Sequence, residues 1–209
     1  EAHFSKKEKD NLKKKAFSIA KHSVFLDFKN PSEHVKVESL RKQEQVINFF
    51  YGDDESKWIN GASAFEEVYL KDIYPHIDFR LFSMGESLKY EYIVHPEGNP
   101  ANIQMVYRGQ NQIQLEKGEL KLQTSVNSFK EFQPFTYQTN SKTKKEVKSN
   151  FRLEGQNVSF DIGSYNKNED LIIDPELVFS SYTGSASDNW SHTATFDNEG
   201  NLYAGGTVF

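Results

Sequence analysis

The fold class this sequence predicts is mainly β: an antiparallel β-sandwich-like domain preceded by an N-terminal helix. Three observations carry the prediction. Apolar and polar side chains alternate through the stretch from Trp58 to Ile103, the period-two pattern of strands with one buried face. The alternating runs are separated by short segments rich in glycine, asparagine and charge, as hairpin turns are. The 209 residues include 17 Phe and 10 Tyr but no Cys. A core is therefore built from rings, each hiding roughly 150–250 Å² when buried, and without disulfides.

Composition narrows the function classes. The length fits one large or two small domains. A hydrophobic content of 36% with 14% aromatics can make a core, although the mean hydropathy of -0.71 is polar. A net charge of -5 argues against nucleic acid as the main partner. No apolar run approaches the ~20 residues of a membrane-spanning helix. Thiolate zinc sites are excluded with the cysteines. The chain carries no secretory leader, and the expectation is a mature form of an exported protein.

The elements follow in order. Ser5-Lys6-Lys7-Glu8 has the form of a capping box, and Leu12, Ala16, Ile19 and Ala20 share one helical face. This predicts a helix from about Lys6 to Lys21. Lys7, Lys13, Lys14 and Lys15 lie on its other face. They read as a solvated face, with a patch for an anionic partner as the alternative. Ser23 to Phe28 reads as a strand stopped by Asn30-Pro31, Val35 and Val37 as a short strand, and Ile47 to Tyr51 as an apolar run. Asp53-Asp54-Glu55 lacks the spaced oxygens and glycine of a calcium loop. It reads as a solvated turn or as the cap of a short helical turn reaching Trp58.

Within the organising stretch, Ile77, Phe79 and Leu81 point one way and Asp78 and Arg80 the other. Leu88, Tyr90, Tyr92 and Val94 share a face, with Lys89, Glu91 and His95 opposite. Residues 83–87 form the expected five-residue loop of an antiparallel hairpin. Pro96, Gly98 and Pro100 then break the ladder, and Ile103, Met105 and Tyr107 begin another strand. Glu116-Lys117-Gly118-Glu119 turns between Ile113/Leu115 and Leu120/Leu122. Phe129, Phe132, Phe135 and Tyr137 surround Pro134. They read as an irregular strand filling the core, with a stacking platform for a sugar or base as the alternative. Asn140 to Ser149, with four lysines, reads as a mobile loop or hairpin tip. Phe151 to Ile162 forms a third hairpin around Gly155-Gln156-Asn157, and a polar loop from Asn166 to Asp170 leads to Leu171, Ile172 and Ile173.

The segments VFLDFKNPS, INFFYGDDESKW, VYLKDIYPHIDFRLF, LKYEYIVHPEGNPANIQMVYRG, GELKLQT, PFTYQ, VSFDIGSYN and LIIDPELVFSSYTGS resemble, in this order, a β-rich domain of secreted bacterial proteins that commonly precedes β-propeller repeats of the SBBP type. Tyr74-Pro75-His76-Ile77-Asp78 is similar to that family's Tyr-Pro-Gly-Ile-Asp turn, with His76 where glycine is usual. The resemblance runs from about Ser23 to Phe209. The helical lead-in at 1–22 falls outside it; beyond that the resemblance implies a sandwich-like domain at 23–174 and the incomplete start of an SBBP-type propeller at 175–209. Asp174-Pro175 is the implied boundary. Phe196 to Tyr203 reads as strand, tight turn, strand. Asp197, Glu199 and Asn201 lie in that turn, and Gly200 stands two places too early for an EF-hand loop. Ending in about two strands of a blade, the chain is expected to be a piece of a longer protein.

Recognisable chemistry is sparse. The six histidines, His3, His22, His34, His76, His95 and His192, form no helical zinc pair. His76-Ile77-Asp78 could present a metal pair on a strand face, but a surface hydrogen bond is the simpler reading. No nucleophile elbow, P-loop or dinucleotide fingerprint appears, so no catalytic residue, cofactor site or metal site is expected. A glycosidase carboxylate pair needs only closeness in space, and spacing selects none. The resemblance implies a non-catalytic module of a large secreted or cell-surface protein of the Bacteroidota, often routed by type IX secretion or associated with gliding motility. Its expected role is adhesion, recognition or spacing, with a protein or glycan partner or the rest of its own propeller. The alternatives are an accessory subunit of an outer-membrane or secretion complex, and part of a polysaccharide-acting hydrolase whose active site lies elsewhere.

Overall fold

The computed structural model of the chain describes residues 22–50, 53–84, 87–140, 143–178, 189–196 and 202–208. These residues make fifteen strands: β1 (Phe25–Phe28), β2 (Lys36–Phe49), β3 (Ile59–Tyr74), β4 (Ile77–Met84), β5 (Ser87–Val94), β6 (Met105–Arg108), β7 (Gln112–Glu116), β8 (Glu119–Gln123), β9 (Ser128–Asn140), β10 (Thr143–Val147), β11 (Ser149–Glu154), β12 (Asn157–Ile162), β13 (Leu171–Val178), β14 (Asn189–Phe196) and β15 (Leu202–Val208). Helical structure among them is limited to 3-10 turns at Glu55–Lys57 and Pro100–Asn102. The expected helix over residues 6–21 lies outside the described residues.

All strand pairs are antiparallel. A four-stranded sheet has the order β1-β6-β12-β11, and a nine-stranded sheet the order β2-β3-β4-β5-β13-β9-β8-β7 with β10 beside β9. Among the described residues, strands β14 and β15 pair only with each other, Phe196 opposite Leu202. Two strands form no complete propeller blade.

The two larger sheets enclose one core. Ile77 and Phe79 of β4 stand opposite Val94 and Tyr92 of β5, which stand opposite Leu171 and Ile173 of β13. This follows from the period-two alternation, and all six are buried. Rings then cross between the sheets. Phe28 of β1 meets Phe79 edge-on at 5.0 Å, Tyr92 meets Phe160 of β12 at 5.8 Å, and Phe160 meets Phe151 of β11 at 5.4 Å. Tyr92 is 0% exposed.

Several turns take the conformation their residues favour. Glu116 pairs with Glu119 across Lys117 (φ 52°) and Gly118 (φ 86°), two left-handed residues as a type I′ hairpin requires. Tyr74 pairs with Ile77 across Pro75 and His76. His76 has a φ of 58°, so proline is followed by a left-handed residue, the pattern of a type II turn in which glycine is the ordinary choice. Gly98 closes against this turn: a Cβ there would lie 2.7 Å from the His76 carbonyl oxygen.

Elsewhere the structure departs from the sequence reading. Val37 and the run from Ile47 to Phe49 do not fall in separate segments, because β2 is one strand of 14 residues, Lys36–Phe49. It lies on the edge of the nine-stranded sheet, and beyond Lys42 it pairs with a part of β3 that no longer reaches β4. Solvent meets both faces there, so no apolar alternation is imposed. The β4–β5 loop is shorter than five residues, since Met84 pairs with Ser87. Within residues 140–149, read as a loop or hairpin tip, Asn140 pairs with Thr143 and β10 runs beside β9 as far as Val147. Strand β13 continues through Asp174-Pro175, pairing Glu176 with Phe132 and Val178 with Lys130 after a register shift. The shift accommodates a proline that cannot donate to the ladder.

Candidate functional site

The nine-stranded sheet has two faces, and the polar chemistry of each is distinct. On the inner face Glu131 of β9 lies opposite Leu120 of β8 and is 1% exposed. The Tyr90 hydroxyl donates to Oε2 at 2.7 Å, and the Tyr107 hydroxyl donates to Oε1. Tyr107 belongs to the four-stranded sheet, so this carboxyl joins the sheets. Burial pushes Glu131 up and the two phenol bonds pull it back, leaving it above its ordinary 4.5. Burial first, then the neighbouring carboxyl, pushes both phenols well above 10.0, which keeps them as donors.

On the outer face the register sets residues in rows. One row runs Glu38, Tyr69, Arg80, Glu91 across β2, β3, β4 and β5, and Asp174 and Phe135 form a pair on β13 and β9. Arg80 Nη2 lies 3.0 Å from Glu67 Oε1 and its Nη1 lies 2.8 Å from Glu91 Oε1. Its guanidinium sits 4.3 Å over the Phe82 ring. Arg41 also reaches Glu67. Glu67 and Glu91 are buried beneath these long side chains, and each has a cationic partner, as enclosed charges require.

At one end of this face Lys71, Asp78, His95 and Asp170 form a closed cluster. Lys71 Nζ donates to Asp78 Oδ2 at 2.7 Å, and the Asp72 amide donates to Oδ1 at 2.9 Å. His95 bridges two acids: Nε2 is 3.0 Å from Asp78 Oδ2, and Nδ1 is 3.0 Å from Asp170 Oδ1. Burial opposes the charge of both Asp78 and His95, but the mutual bonds prevail. Asp78 stays below its ordinary 3.8 and His95 is raised above 6.5. The imidazolium form, with both nitrogens donating, is the form that satisfies both acids. Every member has a bonded partner, so none is poised as a free acid or base.

Asp174 differs. Its Oδ1 is buried without a hydrogen-bond partner. Burial raises its pKa above the ordinary 3.8, with Lys89 opposing and Glu91 adding to the shift. On the neighbouring strand Phe132 and Phe135 are 38% and 45% exposed. The Phe135 ring rests 5.4 Å from that of Tyr137, whose own face carries Lys144 Nζ at 3.9 Å.

The residues singled out in the sequence fall as follows. His76 and Asp78 are not brought together: His76 is exposed in its turn, 3.9 Å from Glu97, while Asp78 lies on the outer sheet face. Asp54 caps the 3-10 turn that ends at Trp58, accepting from the Ser56 amide at 3.1 Å. Phe129 faces the core opposite Leu122, whereas Phe132, Phe135 and Tyr137 face outward. The turn holding Asp197, Glu199 and Asn201, and the lysines of the N-terminal segment, lie outside the described residues. Among the described residues no group of three His, Asp or Glu side chains is disposed to hold a metal ion, and no helix is long and apolar enough to cross a membrane. The sequence reading missed Glu131, the His95 bridge and Asp174. Only the position of His95 on the polar face of β5 was visible in the alternation.

A family described as a domain of unknown function, DUF7948, matches residues 1–176. The chain belongs to this family. The match to DUF7948 begins at residue 1, so it takes in the first 22 residues, which the resemblance to the propeller-associated domain left out. It ends within β13, two residues after Asp174, and does not extend to the β14–β15 pair. No curated protein and no solved structure matches the chain.

Proposed function

We propose that this DUF7948 domain is a non-catalytic recognition module of a secreted or cell-surface protein. It serves adhesion, recognition or spacing in the manner of the domains that stand ahead of SBBP-type propellers in exported Bacteroidota proteins. The observation that supports it is the outward display of rings on β9. Phe132 and Phe135 are exposed on β9 where it pairs with β13, on an open sheet face rather than in a cleft. The acid–base groups beside it at Lys71, Asp78, His95 and Asp170 are committed to one another. An open depression of about 440 Å³ over the 123–128 loop contains none of those groups.

The test is twofold. Protease shaving of intact cells of the source organism is expected to release the longer protein that contains this domain. A turnover screen of that protein on polysaccharides is expected to be insensitive to Asp78→Asn and His95→Asn. Turnover abolished by either substitution, or a protein protected inside the cell, would overturn the proposal.

A second reading has its own support. The distal β2–β3 arm exposes Val46, Ile47, Ile59 and Phe65, and a lone two-stranded ribbon is marginal in water. An outer-membrane or secretion complex that holds the domain as an accessory subunit would cover this arm. Co-purification with the envelope complex, lost on Val46→Asp, is the corresponding result.

A further inference from the structure

Strand β9 inverts the hydrophobic rule. It runs between β13 and the β8/β10 edge, where apolar side chains ordinarily turn inward. Its inward positions after Phe129 instead include Glu131, Thr136 and Gln138, each at most 1% exposed. The rings of Phe132, Phe135 and Tyr137 turn outward. Glu131 and Gln138 need hydrogen bonds to be tolerated there, from Tyr90 and Tyr107 in one case and with the loop at Asn166 and Glu169 in the other. An arrangement that spends inner positions on polar groups while exposing phenyl rings is a local conflict of the sort found at functional surfaces.

A second observation is independent of the rings. Asp174 stands opposite Phe135, and Glu176 opposite Phe132. The Asp174 Oδ1 atom is shielded from water and has no donor. Among the described residues five buried side-chain polar atoms lack a partner, and Asp174 Oδ1 is the one carboxyl oxygen of the five, a group that a donor from outside the chain would satisfy.

We infer that Phe132, Phe135, Asp174 and Glu176 form a binding platform for a neutral polysaccharide, the rings lying against the C–H faces of its sugar units and the carboxyls accepting from its hydroxyls. This rests on the recognition reading above and names its ligand. An open sheet face suits a polymer, because sites for small molecules are concave and enclose most of the ligand. Charge selects against the other candidates. Lys89 and Lys144 offset the carboxyls around Asp174, Lys89 lying 4.0 Å from Glu176, so little net charge is left to draw a cationic ligand. Glu91 and Glu176 flank the same carboxyl, and the chain carries a net charge of -5, so a polyanion such as nucleic acid is disfavoured. A neutral ligand bearing many hydroxyls meets neither penalty. Lys144 already covers the Tyr137 ring, which leaves Phe132 and Phe135 as the stacking surface.

The test is affinity electrophoresis of the full chain through gels containing a soluble mixed-linkage β-glucan, a xylan, a mannan or an α-glucan, with heparin and polylysine as charged controls. Retardation by at least one neutral polymer is expected, weakened about tenfold or more by Phe135→Ala and by Asp174→Asn. The melting temperature of each variant is measured alongside, and Phe132→Ala, at a separate exposed ring, provides a second variant if either of the others unfolds. No retardation by any of the four neutral polymers, retardation indifferent to all three substitutions, or retardation only by a charged control would overturn the inference. Such a failure is separable from failure of the recognition reading, which is decided by shaving and turnover.

Discussion

On the inner face of the nine-stranded sheet, Glu131 sits among leucines and tyrosines and meets two phenol donors. On the outer face Glu67, Asp78 and Glu91 are nearly as enclosed, at 4–7% exposure, yet each meets a cation: Arg80, Lys71 or His95. The residue types are similar and the solutions opposite. Inside, among the described residues, no cation reaches the carboxyl, and burial favours its protonated form. Outside, long basic side chains fold over the sheet, so the acids are enclosed by their own counter-charges. Enclosure alone therefore does not set the state of an acid; the partner supplied by the neighbouring strand does. Asp174 is the exception on the outer face, enclosed in part without a bonded partner, and that exception marks the proposed platform.

The comparison breaks most visibly at Glu131. Glu131→Ala leaves two buried phenols without an acceptor and opens a cavity, and it is expected to lower stability by about 3–5 kcal/mol in a denaturant titration. Glu131→Gln keeps an acceptor and removes the titration, so it is expected to stay within about 1 kcal/mol of the parent at acid pH. If Glu131→Ala costs no more than an exposed Glu→Ala change, the inner network is not structural.

On the outer face, Asp78→Asn removes the charge that holds Lys71 and His95. The expected loss is about 1–3 kcal/mol near pH 6, read as a shift in denaturation midpoint. A loss as large as that of Glu131→Ala would erase the difference between the faces.

Dependence on pH sharpens the contrast, because the signs differ. Glu131 is raised above 4.5 in the folded chain, so its contribution is fullest below pH 4.5 and is lost as pH rises through the folded value. Asp78 is depressed below 3.8, so its contribution is present above 3.8 and is lost as pH falls through the folded value. His95 is raised above 6.5: its contribution is complete below pH 6.5 and is lost as pH rises through the folded value. Stability measured against pH is expected to show a falling limb above pH 6.5 that disappears in His95→Asn. Persistence of the limb in that variant would remove the bridge from the account.

The smallest effect belongs to the platform. Phe135→Ala is expected to change stability by less than about 0.5 kcal/mol by thermal melting, since the ring is 45% exposed. A loss above about 2 kcal/mol would make the ring a packing residue instead.

Much of the sandwich was legible because β4, β5, β8, β11 and β12 obey the period-two rule with one buried face. Ile77, Phe79, Tyr90, Tyr92 and Val94 could be assigned inward from spacing alone. The edge strand β2 was not legible, because residues 38–45 meet solvent and no apolar repeat marks them. Strand β9 misled for a different reason. Its rings read as core, whereas the register shift near Pro175 and the tyrosines of other strands allow Glu131 to take an inward position. The His95 bridge joins residues 17 and 75 apart in the chain, and only the folded register brings them together.

The central claim is that one sheet keeps a protonatable acid inside and charge-paired acids outside. Carbon-13 titration of the side-chain carboxyls, with Glu131 and Asp78 assigned through Glu131→Gln and Asp78→Asn, tests it most directly. The account predicts a Glu131 midpoint above 4.5 and an Asp78 midpoint below 3.8 in the same sample. Coincident midpoints near the ordinary carboxyl values, or the reverse order, would contradict it.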